Sequence, residues 1–273
     1  MFPKKAFQPF TKCSNRAEWL YLCLLIALLY TLKSLVGSAP PTALSPATES
    51  YACVDPLRYD LAEVRPKKII IVSSGRTGSK LLWSMIIQQL KYRYRNVRHI
   101  HRFADEFEQT LVDRDTRVIY IYTDPVDVVL SLKLCSFQWV KTHFENFNSS
   151  RVHYSDFHNI FREDVLRLEE FFESWMRPHP FPFFSLNYEH EREPESTQAL
   201  LTFLGFPRNY SFQWPPANEK PLLGTNKQGL IPREHRIAEY PMEKQRLLLR
   251  TYRRARKKIL SAPPYCIWPI IRG

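Results

Sequence analysis

A chain of 273 residues has room for one domain of roughly 200 residues plus appendages. Its 44% hydrophobic and 14% aromatic content suits a packed core and excludes a wholly disordered polymer. The net charge of +12, from 39 Lys+Arg against 27 Asp+Glu, fits a polyanionic cofactor, an acidic glycan, nucleic acid or a membrane surface, and does not choose among them.

Taken in chain order, the first feature is Trp19 to Leu32, an uncharged apolar run that continues past Lys33 to Val36. It is short for a spanning helix of about 20 residues, with Lys33 placed to snorkel. Lys4, Lys5, Lys12 and Arg16 against Glu18 put the N-terminus on the cytosolic side. The rival is a cleaved signal peptide ending at Gly37-Ser38-Ala39; the long basic leader and Pro40 directly after that site argue for an uncleaved anchor. The segment Ser38 to Tyr51, rich in Pro, Ser, Thr and Ala, cannot bury a core and reads as a stem. The expected layout is a cytoplasmic tail over 1–17, a transmembrane signal anchor over 18–37, a stem over 38–63 and a lumenal domain over 64–273. Two N-glycosylation sequons, at Asn148 and Asn209, suit a lumenal domain. Cys53, Cys135 and Cys266 would all be lumenal, Cys53 in the stem and the other two in the domain. Cys53–Cys266 is one pairing of the three, and sequence leaves the connectivity open.

Lys67–Val72 carries three consecutive isoleucines and reads as a strand buried on both faces, as in a parallel sheet. Ser73 to Lys80 is a tight polar turn holding Gly75 and Gly78, two of only seven glycines, and Leu81 to Leu90 is an apolar helix-length segment. A Gly-rich strand–turn–helix presents backbone N–H groups at a helix N-terminus, where an anion is favoured. Ser73, Ser74, Arg76, Thr77, Ser79 and Lys80 add donors and charge. The nucleoside-triphosphate loop G-x-x-x-x-G-K-[ST] is excluded, because Ser79 separates Gly78 from Lys80 and no glycine lies five positions before Gly78.

Further along, Asn96–His101 reads as a short strand and Ala104–Leu111 as a helical connector. Arg117–Thr123 is a second buried strand, broken by Asp124-Pro125 before a helix beginning at Val126. Phe161–Met176 is strongly amphipathic, Phe183–Tyr188 is a strand, Ser196–Leu204 a helix closed by Gly205, and Arg246–Leu260 a basic helix. The alternation argues for an α/β sheet. There is no internal repeat and no metal-ligand spacing.

These motifs resemble the sulfotransferases that use 3′-phosphoadenosine 5′-phosphosulfate, and in particular their membrane-bound carbohydrate-type members. Arg76-Thr77-Gly78-Ser79-Lys80-Leu81 follows the family's 5′-phosphosulfate loop. Thr123-Asp124-Pro125, Asp127 and Ser131 follow its second cofactor signature, with Thr123 in place of the leading Arg. Trp175, Tyr188-Glu189 and Phe203-Leu204-Gly205 follow in family order, and Lys227-Gln228-Gly229 stands where soluble members bind the 3′-phosphate. The likeness spans about Lys67 to Leu260. It implies a P-loop-like three-layer α/β sulfotransferase fold with a central parallel sheet, preceded by one transmembrane helix, in the Golgi membrane.

The resemblance also implies roles. Cofactor binding falls to Ser74, Gly75, Arg76, Thr77, Gly78, Ser79, Lys80, Thr123, Ser131, Tyr188, Lys227, Gln228 and Gly229, with no metal. Arg76 is placed for the leaving group. The general base is His101, at the family spacing before Thr123, with His99 on the same strand face and Glu106 and Glu108 as alternates. The adenine-stacking Trp of the family is Leu81 here, with Trp83 two positions on. The expected reaction is sulfuryl transfer to a hydroxyl, with a glycan as acceptor; a non-catalytic membrane-anchored relative is the alternative. Nucleic-acid binding rests on net charge alone and is not expected; its best support, Arg250–Lys258, reads instead as a solvated helix face or a docking strip for an acidic glycan.

Overall fold

The structure is a computed structural model that describes residues 51–62, 64–75, 77–107, 112, 115–133, 154–207, 209–215 and 237–270. The apolar run expected to cross a membrane lies outside them, as do Arg76, Glu108 and Lys227-Gln228-Gly229. Among the described residues no helix is long and apolar enough to cross a membrane.

Residues from Ser50 onward form one compact unit. Its centre is a five-stranded sheet of β1 (Lys68–Ser73), β2 (Val97–Ile100), β3 (Thr116–Tyr122), β4 (Phe183–Asn187) and β5 (Tyr265–Trp268), in the order β2-β1-β3-β4-β5. The first four strands are parallel and β5 is antiparallel to β4. Side-chain alternation sends Ile69 and Ile71 to one face of β1 and Ile70 and Val72 to the other. On one face α1 (Ser79–Gln89) and α4 (Pro194–Phe203) cover Ile69, Ile71, Ile119, Ile121 and Phe184. On the other, α2 (Pro125–Lys133), α3 (Leu168–Trp175), α5 (Met242–Thr251) and α6 (Arg253–Ser261) cover Ile70, Val118, Tyr120, Tyr122 and Phe183. Burial on both faces is why the central strands read as continuous apolar runs. This is a mixed α/β fold with a mostly parallel central sheet.

Several elements differ from the expected bounds for local reasons. The amphipathic pattern of Phe161–Met176 yields a helix only from Leu168, because Arg167 ahead of it takes φ 51°, which no right-handed helix contains. Ala104–Glu106 is a single 3-10 turn rather than the start of a longer helix, and Phe107 after it is extended. Arg246–Leu260 is part of a longer helical stretch that changes hand-hold at Tyr252, between α5 and α6. Residues 51–62, which fall in the stem of the expected layout, carry Tyr59 into the core beside Phe203 and bond Cys53 to Cys266 across a Cα–Cα distance of 5.2 Å.

Candidate anion-binding site

The chain runs from β1 out to β2 on one side and then returns to β3 on the other, so the direction of winding reverses between β1 and β3. In open α/β sheets ligands bind outside the carboxyl ends of the strands at that point. The residues at those ends are Ser73-Ser74 after β1, His101 after β2 and Thr123-Asp124 after β3.

The loop after β1 is shaped by two left-handed glycines, Gly75 at φ 87° and Gly78 at φ 74°. Gly78 is also pressed on by Tyr188: a Cβ there would lie 1.7 Å from the Tyr188 ring, so only glycine fits. Tyr188 reaches the loop because Asn187 ends β4 and its side-chain oxygen accepts the Glu189 N–H at 3.0 Å, turning the chain back. Gly78 is the N-cap of α1 and among the described residues no side chain caps that end, which leaves the first-turn N–H groups for a ligand. Thr77 is fully buried in the loop, and its Oγ1 has no hydrogen-bond partner among the described residues. An orphaned buried hydroxyl beside an uncapped helix start fits a site that an anion completes.

Ser73 ties this loop to the histidines. Its hydroxyl lies 3.0 Å from Ser79 Oγ, 3.1 Å from His99 Nε2 and 3.4 Å from His101 Nδ1, and accepts the Gly75 N–H at 3.3 Å. His101 Nδ1 is only 2.6 Å from the Ser73 carbonyl oxygen. A carbonyl accepts, so Nδ1 carries the proton and Nε2 is the ring's acceptor nitrogen. The neighbouring Arg102 carbonyl accepts the indole N–H of Trp175 at 2.9 Å, so α3 holds His101 in place from the far side. The two imidazoles meet edge to face with centroids 4.4 Å apart. Burial pushes His101 down to about 4; its bond to Ser73 opposes the shift and the Lys80 charge adds to it. Burial, then His101, then Lys80 push His99 down to about 3. Both rings are therefore neutral bases at neutral pH.

At the end of β3, Thr123 is 5% exposed and Asp124 1% exposed. Asp124 Oδ1 accepts the Val126 N–H at 2.9 Å and starts α2, while Oδ2 receives Arg256 Nε from α6 at 2.6 Å. Ser131 sits two turns into α2 and is nearly buried. Sequence reasoning missed the Asp124–Arg256 pair, since 132 positions separate its members.

The structure thus gathers Ser74, Gly75, Thr77, Gly78, Ser79, Tyr188 and His101 around one loop, with Lys80 exposed at its edge. One expectation shifts. Trp83 donates its indole N–H to the Val97 carbonyl at 3.2 Å, which ties it to β2 rather than to a base in the loop. Lys133, the last residue of α2, lies over the rings of Phe157 and Phe161 at 4.9 and 5.5 Å. Glu106 stays near the end of β2 in its 3-10 turn. No family model matches the chain, and no curated protein matches it in sequence.

Proposed function

We propose that the chain is a sulfotransferase that takes a sulfuryl group from 3′-phosphoadenosine 5′-phosphosulfate and places it on a hydroxyl of a glycan. On this reading the α/β domain has the P-loop-like three-layer sulfotransferase fold. The observation that carries the proposal is His101: a buried neutral imidazole whose Nδ1–H is held by the Ser73 carbonyl at the root of an uncapped anion loop.

The co-substrate supplies the activated sulfuryl group and departs as the 3′,5′-bisphosphate. The chain's own groups do the rest. His101 Nε2 takes the proton of the acceptor hydroxyl. The N–H groups of Gly78, Ser79 and Lys80, with the charges of Arg76 and Lys80, stabilise negative charge on the leaving side. Thr77 and Ser79 offer hydroxyls to the same anion, and Tyr188 lines the loop. Thr123, Ser131 and Lys227-Gln228-Gly229 belong to the 3′-phosphate side. No covalent intermediate is needed, because positioning and electrostatics suffice for this kind of transfer.

The decisive experiment is calorimetric titration of the full chain with 3′-phosphoadenosine 5′-phosphate. Wild type should bind it. Because Thr123 cannot supply the charged fork of an arginine, Lys227→Ala should weaken binding more than about tenfold, on the order of 1.5–3 kcal/mol for a charged hydrogen bond. Thr123→Arg should strengthen it, and an analogue lacking the 3′-phosphate should be indifferent to both. If wild type and Thr123→Arg both fail to bind, the second reading prevails: a non-catalytic, membrane-anchored relative. Thr123 and the commitment of Trp83 to Val97 favour that alternative.

The same reading places the chain as a single-pass type II protein of the Golgi membrane with its domain in the lumen. The Cys53–Cys266 disulfide supports an oxidising compartment, and Asn209 of the second sequon is exposed. An N-terminal tag should face the cytosol, while the C-terminus is protected and at least one of Asn148 and Asn209 is glycosylated. A cytosolic C-terminus in a protease-protection assay, or a mature chain starting at Pro40, sinks the anchor.

A further inference from the structure

The α5–α6 stretch behaves as one helix on its buried side. Tyr252 donates its N–H to the Leu248 carbonyl at 3.1 Å and its carbonyl accepts from Arg256 at 2.8 Å, so the i to i−4 ladder passes through the junction. Leu248, Tyr252, Ala255 and Ile259, spaced 4, 3 and 4 residues apart, form the stripe that enters the core. The opposite face carries Arg246, Arg250, Arg253 and Lys257, spaced in the same way and all exposed.

Seven of the eight cations on this stretch, all but Lys244, divide into two sets. Arg254 and Lys258 pair with Glu169, each at 2.6 Å, and Arg256 pairs with Asp124 at 2.6 Å. Arg246, Arg250, Arg253 and Lys257 have no carboxylate partner among the described residues. They form a row that runs over both helices, about 16 Å long at the helical rise of ~1.5 Å per residue. Arg256, on the flank of α6 between this row and the buried stripe, is bonded to Asp124 at the carboxyl end of β3.

We propose that this face is a docking surface for a linear anionic glycan. Four cations at regular spacing along two consecutive helices match a polymer with charges at fixed intervals, and arginine forks suit carboxylate and sulfate groups. Exposed Met242, Leu249 and Leu260 flank the row and make an anionic membrane the rival occupant. A fluid headgroup layer, however, asks for no linear register. The surface stands independently of the catalytic reading and rests on it in one respect only: the bound glycan is then the acceptor, led along α6 toward His101.

The test uses the full chain in detergent with a heparin octasaccharide as probe, and neutral dextran of similar size, phosphatidylserine vesicles and a uridine oligonucleotide as comparisons. Replacing Arg246, Arg250, Arg253 and Lys257 together by Gln should weaken octasaccharide binding at low salt at least about tenfold, as expected when four polyanion contacts are lost. Replacing Lys91, Arg93, Arg95 and Arg98 by Gln removes the same charge near the β2 edge and should cost less than about threefold. Binding of 3′-phosphoadenosine 5′-phosphate should be equal in the two variants. Equal losses of octasaccharide affinity, no loss in either variant, or no binding by wild type overturns the docking surface. So does tighter α5–α6-dependent binding to vesicles or to the oligonucleotide. Wild type that binds octasaccharide but not the bisphosphate sinks the transferase reading and leaves this surface standing.

Discussion

On the proposed function, replacing His101 by alanine should lower turnover at least about a hundredfold, the usual scale for losing a general base, while 3′-phosphoadenosine 5′-phosphate should still bind. The reason is positional. Ser73 supplies a carbonyl that fixes the tautomer, Trp175 pins the next residue, and the acceptor nitrogen of His101 is the one a hydroxyl must meet. The pH profile gives an independent readout. Burial holds His101 near 4 rather than its ordinary 6.5, so the acid limb of kcat/KM belongs near 4 and the rate stays flat through 6.5. Stability carries the same sign. The folded value lies below the unfolded one, so this contribution is fully present above 6.5 and is lost as pH falls through about 4. An acid limb at 6.5, or near-normal turnover in His101→Ala with loss in Glu106→Ala or Glu108→Ala, moves the base to another group.

Gly78→Ala carries the second large effect. An L-residue held at φ 74° costs about 1–2 kcal/mol, and the new methyl would also overlap the Tyr188 ring at 1.7 Å. The loop must open or Tyr188 must leave, and either disturbs the N–H groups proposed to cradle the anion. Affinity for the bisphosphate should fall at least about a hundredfold, or ~2.7 kcal/mol. Adding Tyr188→Ala removes the overlap but not the backbone strain, so the pair should regain fold stability more than affinity. A Gly78→Ala chain with wild-type affinity and melting temperature would show that the loop does not bind the anion as proposed.

The central strands were legible because burial on both faces leaves unbroken apolar runs at Ile69–Val72 in β1 and Val118–Tyr122 in β3. Even Arg117 did not break the pattern, although it is 0% exposed and sends its guanidinium to the carbonyls of Thr116 and Val64. Strand β5 was not legible: Tyr265–Trp268 is four residues long, follows two prolines and owes its state to pairing with β4. Within the site, the loop glycines and the His99/His101 alternation are local signals and could be read. The Ser73 hydroxyl joining both histidines, Tyr188 on Gly78 and Arg256 on Asp124 depend on contacts between distant segments, which no local pattern encodes.

The join between the start of the domain and its last strand also sets how force travels. Cys53 is covalently held to Cys266, and the Val54 N–H bonds to the Ile267 carbonyl at 2.7 Å. Tension arriving from residues before Ser50 therefore enters through β5, an edge strand, and is grounded there. Neither β1, its loop nor β2 lies on that load path. On the proposed anchored layout, a stem that is pulled, swung or rebuilt to another length should leave the geometry around His101 mechanically isolated.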